Sequence, residues 1–232
     1  MFKEACKKVR ESVYGVIGTS IIKEAGSQVK VNATNATAFM VFPEYLITAA
    51  HFVHQENNIE KPVHQNFEVI RAPKIGGPTK KAIFVAEDTI RDIALIKIEN
   101  SDNNSSVELE NIILARGNSC GFLGFPLSEV TFLPDNTKQF NLLERFQGSY
   151  ISNYMDKSIQ SRTLPFYEVD TLMYPGSSGC PGFNPEGKVM GMQVASEMRK
   201  DKEQGNLERV AISLVVPSTD ILTFLKKNKI LS

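Results

Sequence analysis

The stretch YPGSSGCP at residues 174–181 places a serine, Ser178, in a tight turn between two glycines. Gly176 and Gly179 accept unusual backbone dihedrals, as a sharp turn with inward-pointing amides requires. This stretch is weak evidence by itself, because glycine and serine are common in turns. It predicts a nucleophile only if other segments of the chain supply a base and an acid.

Two other segments supply such partners. TAAH at residues 48–51 ends in His51, and DIAL at residues 92–95 begins with Asp92, each at the edge of an apolar strand. The order His, Asp, Ser is one of several in which a catalytic Ser/His/Asp set occurs. Each residue alone has a plainer interpretation: a satisfied core histidine for His51, and turn residues for Asp92 and Ser178. The three segments together favour catalysis.

These residue types suit acyl transfer. A serine hydroxyl is a poor nucleophile at neutral pH and needs a base within hydrogen-bond reach, a role predicted for His51. Asp92, shielded at the start of its strand, would hold the imidazole in one tautomer and stabilise its charged form. The backbone N–H groups of Gly176 and Ser178 are then the expected oxyanion donors.

Two further histidines and three cysteines are left over. His54 and His64 have no matching partners in the sequence and are predicted to be surface or loop histidines. The cysteines, Cys6, Cys120 and Cys180, are odd in number and lack Cys-x-x-Cys spacing, so no disulfide framework is expected. Because no ligand spacing matches a zinc site, we expect neither a metal nor an organic cofactor.

Short runs of β-branched and aromatic residues predict an all-β fold. No helices alternate with these runs, which favours two packed antiparallel barrels. We expect residues 1–112 to form an N-terminal helix and the first barrel, and residues 113–232 the second barrel and a closing helix. The predicted strands cover residues 13–18, 38–42, 45–48, 67–70, 82–85, 93–98, 119–124, 146–151, 166–172, 189–194 and 210–216, with turns at 25–27, 43–44, 76–78 and 184–187.

The two helices are expected at the ends of the chain. Residues 2–12 carry apolar side chains at helical spacing among charged ones. The closing helix is predicted to start with Ser218 or Thr219 as its N-cap. Between the two strand groups, the polar residues 100–106 are predicted to form an exposed loop.

Bulk composition excludes several classes of function. Lys plus Arg equals Asp plus Glu at 26 each, so no global field favours nucleic acid. No apolar run approaches the ~20 residues that a membrane-spanning helix needs. The charged N-terminus does not resemble a signal peptide. With so few cysteines, this favours a cytoplasmic location, whereas a signal removed earlier would allow a secreted or periplasmic one.

At these motifs the chain resembles the trypsin-like, chymotrypsin-fold serine peptidases, and most closely the HtrA/Deg group. The resemblance rests on the three segments above, on residues 187–192 (GKVMGM) and on residues 215–218 (VVPS). It implies two six-stranded barrels. The chain departs from the family at Cys180, where glycine is usual, and at Ser177, where digestive enzymes carry the aspartate of zymogen activation. We expect no PDZ module after residue 232, and an HtrA-like trimer or chaperone role is an expectation by analogy only.

The resemblance also implies where a substrate would bind. Leu172, six residues before the nucleophile, would lie near the base of the P1 pocket, and Val194, Ala195 and Ser196 would form the edge strand that binds the substrate backbone. An apolar pocket favours apolar or small P1 side chains. The predicted function is a serine endopeptidase acting on protein or peptide substrates. The alternative is a catalytically silent binding or scaffold module on the same fold.

Overall fold

The computed structural model describes residues 2–23, 29–71, 78–102, 105–132, 138–159, 161–200 and 207–231. Its first half is a closed antiparallel barrel with the strand order β1-β2-β3-β6-β5-β4. Large apolar side chains fill this barrel, because alternate residues of each strand point inward. The strands are β1 (Val13–Lys23), β2 (Val29–Phe42), β3 (Tyr45–Ala49), β4 (Asn66–Arg71), β5 (Lys80–Asp88) and β6 (Ile93–Ile98).

The second half holds a second ring of six strands. Strands run in the order β13-β8-β11-β12-β15-β14, and pairing of β13 with β14 closes the ring. The remaining strands are peripheral: β7 joins β14 in parallel, and β9 and β10 form a separate hairpin. The strands are β7 (Glu108–Leu109), β8 (Ser119–Gly124), β9 (Glu129–Phe132), β10 (Lys138–Asn141), β11 (Arg145–Ile159), β12 (Arg162–Val169), β13 (Pro181–Phe183), β14 (Lys188–Lys200) and β15 (Leu207–Pro217).

The predicted all-β class with two barrels and short helices is confirmed, with corrections in detail. The strand predicted over residues 166–172 ends at Val169, and β7, β9, β10 and β13 were not predicted. The turn at residues 184–187 is present: the Asn184 side chain accepts the N–H groups of Glu186 and Lys188. The predicted turn at residues 25–27 lies outside the described residues. So do parts of the predicted turn at 76–78 and of the predicted loop at 100–106.

In the described residues, three α-helices accompany the strands: α1 (Lys3–Arg10), α2 (Ala50–Val53) and α3 (Ser218–Lys227), with a short 3₁₀ turn at Gln55–Asn57 after α2. In α1, Ala5 and Val9 are buried one turn apart. The N-cap prediction for α3 is wrong. Pro217, the last residue of β15, takes the cap position, and the Ser218 hydroxyl donates to the carbonyl of Glu110 instead. None of the helices in the described part of the chain has the length and apolarity to cross a membrane.

One apolar cluster joins the two barrels. It takes Ile17 and Phe39 from the first barrel, Leu123 and Phe183 from the second, and buried residues of α1 and α3. Burial of such side chains stabilises the contact by about 25 cal/mol per Å² of apolar surface. The barrels are therefore held in one relative position, which matters because the three motifs are divided between them.

His54 and His64 lie outside the named helices and strands, as a loop position predicts, but they are not surface residues, because both are buried and hydrogen-bonded. His54 donates from Nδ1 to the Lys61 carbonyl, 2.5 Å away, and its Nε2 lies 2.8 Å from the Glu87 carboxylate. The Glu87 partner lies 33 residues further along the chain, so the local sequence gave no sign of it.

His64 lies between two hydroxyls. Its Nδ1 is 3.0 Å from Ser20 Oγ, and its Nε2 is 2.8 Å from Thr34 Oγ1. The Thr34 hydroxyl donates in turn to the carbonyl of Phe52, so it accepts from the ring. Burial and the nearby charge of His54 lower the pKa of His64 to about 4. His64 is thus a neutral structural histidine beneath the helix that carries His51.

Candidate active site

His51 stands where β3 turns into α2. Ala49 and Ala50, which precede it, are fully buried, and their small side chains let the chain turn sharply against the barrel. Thr48, also fully buried, donates its hydroxyl to the carbonyl of Thr37 on β2. The TAAH segment is therefore held by its buried side chains and by this hydrogen bond, and a quarter of the His51 side-chain surface is exposed.

Asp92 makes three hydrogen bonds to this turn. Its Oδ1 accepts the backbone N–H of His51 at 2.7 Å, and its Oδ2 lies 2.7 Å from His51 Nδ1. Its backbone carbonyl accepts the N–H of Ala50 at 3.1 Å. Asp92 adopts a left-handed backbone conformation with φ 57°, which aspartate tolerates better than most residues. That conformation turns both carboxylate oxygens back onto His51.

The imidazole joins the acid to the serine. Because Nδ1 carries the proton that binds Asp92, Nε2 is left as the acceptor, and Ser178 Oγ lies 3.1 Å from it. Burial acts to lower the pKa of His51, but the charge of Asp92 and the hydrogen bond to it act in the opposite direction and prevail. The pKa is therefore raised above its ordinary value. The structure brings together the three side chains that the sequence singled out.

In the loop that carries Ser178, each backbone carbonyl from residue 175 to residue 178 accepts a hydrogen bond. Among the hydrogen bonds of the described residues, the N–H groups of Gly176 and Ser178 have no acceptor. Two unpaired amides separated by one residue, beside a serine hydroxyl, can bind a developing oxyanion. The donors to the carbonyls are, in order, Leu127 N–H (2.7 Å), the Thr37 hydroxyl (2.8 Å), Cys180 N–H (2.8 Å) and Thr37 N–H (2.9 Å).

Comparison with known proteins places this geometry in a family. The sequence profile of the trypsin-like peptidase domain matches residues 36–192, more than half of the chain. The chain belongs to this family. Among solved structures, the active form of the Rv3671c protease from M. tuberculosis is similar, with a TM-score of 0.66 and 16% identity over 96% of this chain and 83% of that one. At such identity the likeness concerns the chymotrypsin-like fold. No curated protein sequence matches the chain significantly.

A pocket of this trypsin-like domain opens beside Ser178 and His51. Val194, Ala195 and Ser196, predicted to bind substrate, are in its wall. Leu172 is not; its half-buried side chain lies outside the lining, and its carbonyl accepts the Gln147 amide. Met173, the next residue, lines the pocket in its place. The remaining lining residues, which the sequence did not single out, are Tyr174, Pro175, Gln193 and Met198.

Cys180, which departs from the usual sequence of the trypsin-like family, is buried behind the nucleophile. Its side chain is 2% exposed, and burial raises the pKa of its thiol far above the ordinary value. Such a thiol is neither a nucleophile nor a ligand at neutral pH. Among the described residues, no group of three His, Cys, Asp or Glu side chains could hold a metal ion.

We predict that Gly179→Ala destabilises the domain by about 3 kcal/mol or more, because a Cβ there would lie 2.0 Å from the Thr37 carbonyl oxygen. Gly117→Ala is a matched control: Gly117 has nearly the same φ, +83° against +84°, but open space around it. It should cost only the ~1 kcal/mol of the left-handed backbone. Urea unfolding of both variants measures the difference. Equal losses would contradict the steric argument.

Proposed function

We propose that this chain is a serine endopeptidase that cleaves peptide bonds through an acyl-enzyme on Ser178. The observation that carries the proposal is the continuous hydrogen-bonded line from Asp92 through His51 to Ser178, with 2.7 Å and 3.1 Å between the joined atoms. Membership of the trypsin-like peptidase family supports hydrolysis of peptide bonds. The geometry supports the finer assignment of roles.

In the proposed reaction, Ser178 Oγ attacks the carbonyl carbon of the substrate while its proton passes to Nε2 of His51. The negative charge that develops on the carbonyl oxygen is bound by the N–H groups of Gly176 and Ser178. Collapse of the tetrahedral intermediate breaks the C–N bond, and His51 gives its proton to the leaving amine. Water then attacks the acyl-enzyme while His51 takes its proton, and the C–Oγ bond breaks as His51 returns that proton to Ser178 Oγ and the acid product leaves.

Asp92 remains ionised throughout these steps. Its carboxylate keeps the His51 ring in the tautomer that leaves Nε2 free, and it stabilises the imidazolium formed when Ser178 loses its proton. The backbone bond from His51 N–H to Oδ1 prevents the carboxylate from rotating away from the ring. Asp92 is thus both an electrostatic partner and a mechanical support.

The substrate backbone would lie along Val194, Ala195 and Ser196 as an added strand, with its scissile carbonyl over Ser178. Its P1 side chain would enter the pocket lined by Met173, Val194 and Met198. The described residues that line the pocket include no carboxylate, so a buried Lys or Arg head group would have no counter-charge there. We therefore propose apolar or small P1 side chains, in a pocket lined by Met173 rather than Leu172.

The rival proposal is a silent binding module on the same fold. Unpaired Gly176 and Ser178 amides favour the enzyme, because a collapsed turn would fill the space with one of its own carbonyls. A fluorophosphonate probe separates the two. We expect it to label the wild-type chain, and Ser178→Ala to abolish labelling, because the probe needs an activated serine and an oxyanion site.

The control for this labelling is Ser196→Ala, which removes a different hydroxyl from the same pocket. That hydroxyl donates to the Met173 carbonyl and makes no hydrogen bond to an imidazole among the described residues, so the variant should still be labelled. Intact-mass spectrometry measures the adduct. An unlabelled wild-type chain with a native circular dichroism spectrum would favour the silent module.

The pH dependence of kcat/KM should report His51. The neutral ring is the active form, and its pKa is raised, so activity should be lost as pH falls through a midpoint above the ordinary ~6.5. Asp92→Asn removes the charge that raises the pKa but keeps the burial that lowers it. Its midpoint should therefore move to lower pH, while kcat falls by about 10,000-fold.

The control for the pH profile is Asp102→Asn, at an exposed carboxylate bound to Lys80. It removes one negative charge without touching the site, so its midpoint should equal that of the wild type. If the midpoint of Asp92→Asn equalled that of the wild type, the loss of activity at low pH would not be due to protonation of His51.

A P1-randomised peptide library tests the pocket. We expect cleavage after Leu, Met, Phe or Ala, and at least about 100-fold slower cleavage after Lys or Arg. A Met198→Ala variant should shift the P1 preference toward larger apolar residues, because the shorter side chain widens the pocket. Preference for Gln or Asn would instead indicate that the Gln193 amide oxygen, unpaired among the described residues, recognises the side chain.

A further inference from the structure

Thr37 lies on β2 of the first barrel, yet it contacts the Ser178 loop of the second. It is fully buried. Its backbone N–H donates to the Ser178 carbonyl at 2.9 Å, and its hydroxyl lies 2.8 Å from the Gly176 carbonyl. Two of the four carbonyls of residues 175–178 are therefore held by this one residue.

The direction of the hydroxyl bond follows from its other partner. Thr37 Oγ1 accepts the backbone N–H of Phe125 at 3.0 Å, so its own proton is free to donate to the Gly176 carbonyl. The remaining two anchors of the loop, from Leu127 and Cys180, are backbone N–H groups. The Thr37 hydroxyl is thus the one side-chain group among the four anchors in the described structure.

The hydroxyl is held in place by close packing. A Cβ built on Gly124 would lie 2.7 Å from Thr37 Oγ1, and a Cβ built on Gly179 would lie 2.0 Å from the Thr37 carbonyl oxygen. The two glycines therefore let the second barrel approach Thr37 from both sides. In this confined space the hydroxyl cannot move away from Gly176 without breaking its bond to Phe125.

We propose that Thr37 is a positioning residue that keeps the oxyanion-binding amides of Gly176 and Ser178 unpaired and correctly directed. This inference rests on the proposed function, because it assigns those amides to the oxyanion. The carbonyl that Thr37 binds belongs to the peptide between Gly176 and Ser177. Glycine permits wide rotation about its backbone bonds, so an unanchored carbonyl at Gly176 can turn toward the site and displace a donor.

The test compares Thr37→Val, which keeps the shape but loses the hydroxyl, with Thr37→Ser, which keeps the hydroxyl. Loss of one oxyanion donor costs about 100- to 1000-fold in kcat. Partial misplacement in Thr37→Val should lower kcat by about 10- to 100-fold and leave KM within about 3-fold, because substrate side-chain contacts are intact. Thr37→Ser should recover kcat to within about 3-fold of the wild type.

Two controls separate positioning from simple loss of a buried hydroxyl. Thr19→Val also removes a buried hydroxyl, but from a threonine of β1 whose backbone carbonyl accepts the N–H of Gln65 rather than of the Ser178 loop. Its kcat should therefore equal that of the wild type. Thermal unfolding of all variants shows whether each is folded at the assay temperature. The proposal is overturned if folded Thr37→Val has wild-type kcat, if its KM alone rises, or if Thr37→Ser is as impaired as Thr37→Val.

A crystal structure of Thr37→Val makes the test independent of turnover. We expect the Gly176–Ser177 peptide to rotate, and an unchanged peptide in that structure would overturn the proposal. Failure of the proposed function would look different. The folded wild-type chain would show no hydrolysis that depends on Ser178, yet the Gly176–Ser177 peptide would still rotate in the Thr37→Val structure. The two hypotheses therefore fail on separate measurements.

Discussion

The close approach of the two barrels at Thr37 and Gly179 is the constraint on which the site depends. His51 and Asp92 belong to the first barrel and Ser178 to the second, so no local interaction fixes the 3.1 Å between Nε2 and Oγ. That distance follows from barrel docking, which the shared apolar core stabilises and the Thr37 N–H bond to the Ser178 carbonyl aligns. A glycine is required at the contact because a Cβ would meet the Thr37 carbonyl.

A second constraint is electrostatic. An imidazole and a carboxylate, each about three-quarters shielded from water, lie in contact beside the barrel interface. Shielding a charge is unfavourable unless partners compensate it. The Asp92 carboxylate is compensated by the backbone N–H of His51 and by the ring, for which Asp92 adopts a left-handed backbone conformation that most residues avoid. Local strain of this kind is typical of functional sites.

Local sequence patterns predicted much of the fold. Strands β6 and β8 have the predicted bounds because their continuous apolar runs are buried on both faces. Strand β13 escaped prediction because its three residues, Pro181–Phe183, include a proline and a glycine and are ordered only by pairing with β8 and β14. The β9–β10 hairpin and the two-residue β7 are likewise too short to give a periodic signal.

The site divides in the same way. The segments around His51, Asp92 and Ser178 are recognisable because the chemistry demands particular residue types beside small ones. The role of Thr37 was not visible, since its partners at Phe125 and Gly176 are 88 and 139 residues away in sequence. The burial of His54 was missed for the same reason. The sequence predicted Leu172 for the pocket, whereas the next residue, Met173, lines it.

The burial of Cys180 has a practical consequence. Iodoacetamide reacts with thiolates that it can reach, and this thiol is protonated and sealed between the nucleophile turn and β8. Cys120 is also buried, and burial raises its pKa to about 12. Alkylation at either position therefore reports opening of the second barrel rather than surface reactivity. The alkylation rates of these two native thiols therefore measure how often the interior of the second barrel is exposed to solvent.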